Sequence, residues 1–383
     1  MKKITVLLAL ILPLTVITAC NVKSNVRNLT IEHETEFGGI YIHKTIDEFN
    51  RAGFAFGDSV NVYFSNGYQL NDLPYYNGYY VDAGEKLLVG YPGYPYIKVT
   101  INYGDDIWET AEVEFDEDTR ATIALNEKGK YKAIQEASDI HYYDERERYD
   151  SDVEFANYRN MAVGNMKEGM VYRSASPCDN KHNRASYVDS LMAKDQIKYI
   201  LNLADTKEKI DGYIARSDFN SPYFLSLYQN EKFFLSFSND EQVQPLALNM
   251  NYTSVDFANK VVAGFNSMIG KEGPFLIHCL EGKDRTGFVC IVLEALLGAS
   301  YQEIVDDYML TYKNYYGITT TEQAEKYKII KTRNVDTMLK FICGDEVEDI
   351  TTANLVDGAR RYLTWGGMDE MNIDAIVFKF KKD

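Results

Sequence analysis

The stretch from Pro274 to Gly298 narrows the possible folds more than any other part of the chain. Pro274-Phe275-Leu276-Ile277-His278 is a short apolar run, and Gly287 to Leu297 is apolar on nearly every side before Gly298 stops it. A strand and a helix of this kind must both be buried, which a sheet covered by helices provides. Ile197 to Leu203 reads as a second short strand, and Phe257, Val261, Phe265 and Met268 recur at helical spacing between the two. Ser300 and Glu303 form a capping box opening a further helix through Tyr312. Residues 150–383 are therefore expected to form an α/β domain with a central, mostly parallel sheet flanked by helices.

Between the buried strand and the buried helix lies His278-Cys279-Leu280-Glu281-Gly282-Lys283-Asp284-Arg285-Thr286-Gly287. A cysteine with an arginine six positions on is expected by chance about 0.2 times in a chain of this composition, but the whole pattern only about once in a million. A loop curling from a strand into a helix N-terminus points successive N–H groups inward and gains the helix dipole, so it binds an oxyanion without a metal. Gly282 allows backbone torsions or close approach that a side chain would hinder, and Arg285 offers a planar fork for two phosphoryl oxygens. The same positive surroundings favour a cysteine's thiolate, the form that attacks. Cys279 is thus the expected nucleophile and Arg285 the expected phosphoryl grip, with the loop residues Leu280, Glu281, Gly282, Lys283 and Thr286 around the substrate. Thr286 is placed to donate to the departing thiolate, and His278 to orient the loop.

This pattern resembles the signature of bacterial cysteine-dependent protein tyrosine phosphatases, in the branch with Lys-Asp inside the loop. The resemblance extends to Val171-Tyr172-Arg173-Ser174-Ala175-Ser176 upstream and to Val292-Leu293-Glu294-Ala295 and Asp307-Tyr308 downstream. It implies a phosphoric monoester hydrolase forming a cysteinyl-phosphate intermediate without a cofactor, acting on phosphorylated proteins or peptides, or on phosphorylated inositols or lipids. It also implies Asp284 as general acid; Asp205 and Asp240, on predicted loops, compete for that role. Arg173 is expected either to reach the substrate or to anchor a sheet edge. One departure matters: the family's Asp-Leu-Arg is Asn202-Leu203-Ala204 here, so a substrate-facing arginine is missing and the family's substrate class does not simply transfer. Glu281 stands where a small residue is common, and its charge disfavours polyphosphates unless it pairs with Lys283. The competing readings are an inactive phosphate-binding module, and sulfur transfer or arsenate reduction on a similar cysteine loop.

The rest of the chain sets the context. Lys2 and Lys3, an apolar stretch from Ile4 to Val16 and Ile17-Thr18-Ala19-Cys20 read as a signal peptide over residues 1–20 whose ending resembles a bacterial lipobox. That resemblance makes Cys20 the lipidated residue, residues 21–30 a tether, and the protein extracytoplasmic and anchored to the cell membrane. Residues 31–140 alternate like β-strands, as in Ser59 to Phe64 and Tyr96 to Tyr103, with Asn66-Gly67, Asn77-Gly78 and Pro92-Gly93 between them, giving a small antiparallel sandwich or barrel. The dense tyrosines from Tyr75 to Tyr96 are expected to pack across strands rather than form a binding face. Tyr142 to Asp150 is the expected linker. A net charge of −17 excludes nucleic acid as a partner and leaves an anionic substrate to be captured by local groups. Histidine and cysteine spacings match no metal site, so no metal is expected; Cys178 is expected to be an ordinary loop thiol, with a redox partnership to Cys279 as the alternative.

Overall fold

The computed structural model describes residues 24–229, 241–344 and 346–382. The expected signal peptide with Cys20, and the acid candidate Asp240, lie outside the described residues. The chain divides into two compact units, one ending at Gln135 and the other beginning at Glu136.

The first unit is a closed barrel of β1 (Asn25–His33), β2 (Ile40–Ile42), β3 (Ser59–Phe64), β4 (Gln69–Tyr76), β5 (Lys86–Val89), β6 (Ile97–Ile101) and β7 (Arg120–Glu127), in the order β1-β2-β6-β5-β4-β3-β7. Val60, Val62 and Phe64 point inward from β3, as the period-two alternation requires. Two expectations are corrected. Residues 25–30 are not a free tether: Asn25, Val26, Leu29 and Thr30 pair with β7, because only β1 can fill the gap between β2 and β7 and so remove both sheet edges. The sheet is not wholly antiparallel either, since Tyr75 and Tyr76 of β4 run parallel to Leu88 and Val89 of β5. Asn77-Gly78 does not close a hairpin there; the Asn77 side chain is held by the Gln135 amide at 2.6 Å, and the chain makes a longer excursion before β5.

The tyrosines do pack. Tyr75 and Tyr76 are fully buried, and Tyr79, Tyr80 and Tyr94 cover Tyr76, Leu87 and Val89, while Tyr91 stays exposed. Among them lies a buried ion pair, Lys98 Nζ to Glu34 Oε2 at 2.8 Å, with the Lys98 ammonium 4.9 Å from the Tyr94 ring centre. Burial pushes the Glu34 carboxyl up, but Lys98 and the amides of Glu36 and Phe37 outweigh it and hold the carboxyl below its ordinary range. Lys98→Met removes that cation and leaves Glu34 buried alone. The barrel's unfolding transition in guanidinium is expected to lose about 3–5 kcal/mol, and Glu34→Gln in the same chain to recover part of it.

The second unit is built on a five-stranded sheet in the order β11-β10-β12-β9-β8, from β8 (Arg159–Asn160), β9 (Val171–Ser174), β10 (Tyr199–Asn202), β11 (Val243–Pro245) and β12 (Phe275–His278). The last four are mutually parallel and only the edge strand β8 is antiparallel, which agrees with the helix-and-strand alternation of the sequence. In the Val255–Ile269 helix, Phe257, Val261, Phe265 and Met268 are buried, as their spacing requires. The Asp284–Leu296 helix is buried on every side from Thr286 onward. The Tyr301–Tyr316 helix carries the expected capping box of Ser300 and Glu303. Register brings His278 level with Asn202 on one side and Ser174 on the other, so three loops leave the carboxyl ends of adjacent strands together, where open α/β sheets bind ligands.

The expected linker is also corrected. Tyr142 stacks on Tyr315 with ring centres 4.9 Å apart, and the Arg184 guanidinium lies 4.7 Å from the Tyr142 ring centre and hydrogen-bonds the Tyr149 hydroxyl at 3.1 Å. A charged segment with so many aromatic residues covers apolar surface rather than spanning water.

Candidate active site

β12 ends at His278 and the next helix begins at Asp284, leaving Cys279 to Lys283 as the connecting loop. Each carbonyl along it is drawn outward by a specific donor. The Leu203 N–H bonds the His278 carbonyl at 2.8 Å and the Ser176 N–H bonds that of Leu280 at 3.0 Å. Asn157 Nδ2 and the Tyr315 hydroxyl donate to the Glu281 carbonyl at 3.2 and 2.9 Å. Arg173 Nη2 donates to the Gly282 carbonyl at 3.0 Å. The N–H groups of residues 280–286 have no protein acceptor among the described residues. A run of amides with carbonyls turned away, ending in a helix N-terminus, is a site for an oxyanion. Gly282 is needed for the shape: its φ is +69°, and a Cβ there would sit 2.2 Å from the Ser174 carbonyl oxygen.

Around this ring the structure brings together most of the residues expected from the sequence. Cys279 is 3% exposed and in the reduced form. Arg285 donates through Nη1 to the Leu248 carbonyl at 3.2 Å, while its Nε is buried with no partner among the described residues. The Thr286 hydroxyl is likewise buried and has no partner among the described residues. His278 is fully buried; its Nδ1 lies 3.2 Å from the Cys279 carbonyl oxygen, and burial pushes its imidazole down to about 4, so it is neutral in ordinary buffers. Beside the loop opens a cleft walled by Met250, Tyr252, Phe257, Phe288 and Met338, with Asp284, Arg285, Tyr308 and Asn334 supplying its polar atoms. Cys279 is not one of the lining residues.

The acid candidates differ in setting. The Asp205 carboxylate is 5% exposed and takes hydrogen bonds from Asn202 Nδ2 and the Tyr213 hydroxyl, both at 3.1 Å. Asn202, where the resembled family has an acid, also caps the turn by accepting from the Ala204 and Asp205 amides. The Asp284 side chain stays 42% accessible at the cleft, and desolvation pushes its carboxyl above the ordinary range against the pull of Lys283. Glu281 does pair with Lys283, at 3.1 Å. Burial alone would raise the Glu281 carboxyl, but Lys283 and the Tyr142 hydroxyl hold it below its usual value. Lys283 therefore brings little net charge to the rim, since Glu281 and Asp284 both face it.

Arg173 is not among the residues lining the cleft; it lies in register with Arg159 of the edge strand β8 and shares Asp307 with it. It is fully buried, away from any solvent-filled approach, and bridges Asp307 at 2.5 Å to the loop. Cys178 is buried as a free thiol beside Ser176 and Asn202, and burial pushes it far above the ordinary thiol range. Cys290 is fully buried in the helix core. Sequence reasoning gave Asn157, Tyr315 and Tyr142 no role at the site, because nothing local to them signals a loop that for Asn157 lies 124 positions away and for Tyr315 34; of the buried partners, Arg173, Asp307 and Glu294 fell within the family resemblance.

Residues 154–376 match the model of a family described as the tyrosine phosphatase family. No curated protein matches the chain. Among solved structures, the chain is similar to the core catalytic domain of the PP-IP phosphatase SIW14 from S. cerevisiae, in complex with citrate, at 16% identity over 47% of this chain and 91% of that one, with a TM-score of 0.25. It is also similar to TpbA from P. aeruginosa, at 16% identity over 47% of this chain and 92% of that one, with a TM-score of 0.25. Membership rests on the family match, which spans more than half of the sequence. The chain belongs to the tyrosine phosphatase family and is a phosphoric monoester hydrolase.

Proposed function

We propose that Cys279 is the nucleophile of this hydrolase, Arg285 its phosphoryl grip and Asp284 its general acid. The observation that supports this most is the run of N–H groups from residues 280 to 286 that has no protein acceptor among the described residues and suits three equatorial phosphoryl oxygens. The Cys279 thiolate forms an S–P bond as the ester P–O bond breaks, and Asp284 delivers its proton to the leaving oxygen. Water then attacks phosphorus, Asp284 takes a proton from it, and the S–P bond breaks with the Thr286 hydroxyl donating to the departing sulfur. Asp284 suits a group that must begin protonated, since its carboxyl is pushed up and open to the cleft, whereas Asp205 has both oxygens engaged.

Phosphotyrosine in proteins or peptides is the favoured substrate, with dual specificity as an extension. An aromatic and methionine-walled cleft beside Arg285 suits an aryl ester, and the Glu281–Lys283 pair leaves no spare cation for a crowded polyphosphate. A phosphoinositide or inositol phosphate is the second reading, and an inactive phosphate-binding module the reading from another class. In EDTA, the wild type is expected to hydrolyse p-nitrophenyl phosphate, with Cys279→Ser lowering turnover by about 10⁴-fold or more. In the same assay, phosphotyrosine peptides should outpace inositol hexakisphosphate at least about tenfold in kcat/KM. No wild-type turnover would favour the binding module, and the reverse ranking the inositol phosphate reading.

Protonated Asp284 is the active acid, so raising its pKa extends activity to higher pH before it declines. The basic limb of the kcat profile should lie above the ordinary carboxylate range and disappear in Asp284→Asn, with turnover lowered about 10²–10⁴-fold. A limb that survives in Asp284→Asn but vanishes in Asp205→Asn would move the role to Asp205.

We place this activity outside the cytoplasm on a lipid-anchored protein, from the basic, apolar and Ile17-Thr18-Ala19-Cys20 succession at the N-terminus. Metabolic labelling with a radioactive fatty acid should mark the wild type and not Cys20→Ala; equal labelling of both would remove the anchor.

A further inference from the structure

Against the loop carbonyls packs a group of buried polar side chains that the proposed reaction steps do not use. Arg173, with its side chain wholly inaccessible, donates through Nη1 to Asp307 and through Nη2 to the Gly282 carbonyl. Arg159 holds the other Asp307 oxygen at 2.7 Å and donates through Nη1 to Asn157 Oδ1 at 2.8 Å. That bond fixes which way the Asn157 amide faces, so its Nδ2 points at the Glu281 and Gly282 carbonyls, at 3.2 and 3.3 Å. Asn157 itself has φ +48°, a left-handed conformation uncommon outside glycine and held here by its surroundings. The Tyr315 hydroxyl completes the set at 2.9 Å from the Glu281 carbonyl.

Two guanidiniums face Asp307, whose carboxyl burial alone would raise but whose two arginine partners hold far below the usual range. Glu294, buried beside it, is pushed up by burial and by the Asp307 charge. A core needing only to be filled would do so more stably with apolar residues, because desolvating such a group costs several kcal/mol per ion.

We propose that Arg173, Asn157 and Tyr315 are positioning residues of the phosphatase reaction: by holding the Glu281 and Gly282 carbonyls outward, they keep the following amides aimed at the phosphoryl group. This rests on the reading of the loop as the phosphoryl site. Asp307 and Arg159 act one step further back by fixing the Arg173 and Asn157 side chains.

The test separates aim from stability. Arg173→Lys keeps a cation opposite Asp307, but one ammonium lacks the fork that reaches Asp307 and the Gly282 carbonyl together. Tyr315→Phe removes a single hydroxyl and leaves the ring. Competitive inhibition by inorganic phosphate, kcat and KM for p-nitrophenyl phosphate, and alkylation of Cys279 by iodoacetate at fixed pH are measured beside thermal unfolding. Ile210→Val, a change in the buried core away from the loop, serves as a destabilised control. Arg173→Lys is expected to weaken phosphate inhibition about tenfold, to lower kcat more than it raises KM, and to slow alkylation. Tyr315→Phe should do the same by about threefold, and the control should lower the melting temperature with phosphate inhibition unchanged. If Arg173→Lys does not fold, Tyr315→Phe decides. Folded variants whose phosphate inhibition and kcat stay within twofold of wild type overturn the positioning role. A wild type that neither binds phosphate nor turns over overturns the reading of the loop itself.

Discussion

A peptide plane cannot turn its carbonyl one way without turning its N–H the other, and the site depends on that constraint. Every carbonyl from His278 to Gly282 meets a fixed partner, whether a strand amide, a buried asparagine or a guanidinium. The amides that follow, from residues 280 to 286, meet no protein acceptor among the described residues. Buried N–H groups in native proteins are nearly always paired, so a run of unpaired ones is a demand for an external acceptor. A phosphoryl group meets that demand with oxygens alone, which is why a chain carrying net charge −17 can still capture an anion at short range.

The frame that enforces this comes from ordinary packing. β12 lies at the centre of its sheet between β10 and β9, and the helix after the loop is sealed inside the unit. Both ends of the loop are therefore fixed by hydrophobic contacts that have no chemical specificity. Chemistry enters only where the chain leaves that core, at residues 279 to 286. Gly282 marks the tightest point of the junction, pressed against the Ser174 carbonyl of β9.

How much of this the sequence disclosed follows from distance along the chain. Cys279, Gly282, Arg285 and Thr286 are near neighbours, and a strand-loop-helix pattern places them relative to one another without any knowledge of the rest of the fold. The helices with a clean apolar period were legible for the same reason, as was the inward alternation of β3. Asn157 and Tyr315 were invisible because their roles depend on tertiary approach to a loop far along the chain. Arg173 was seen as a substrate contact or a sheet-edge anchor, and its hold on the loop stayed hidden because its partner, Asp307, comes from a helix 134 positions away. In the barrel, residues 25–30 looked like a tether because they are polar, and only closure of the sheet explains why they pair. The parallel approach of β5 to β4 had no local signal, since Asn77-Gly78 is a strong hairpin dipeptide diverted by the Gln135 amide.

The sealed helix from Asp284 to Leu296 has a thermodynamic corollary. Because its first turn is anchored before any ligand arrives, the conformational entropy of ordering the anion cradle is lost during folding rather than at each encounter. Capture of a phosphate ester then tightens few backbone torsions, so its heat and entropy should mainly reflect exchange of hydration water for amide hydrogen bonds. Selectivity among esters must accordingly come from the side chains walling the cleft, since a preformed set of N–H groups receives every phosphomonoester in the same way.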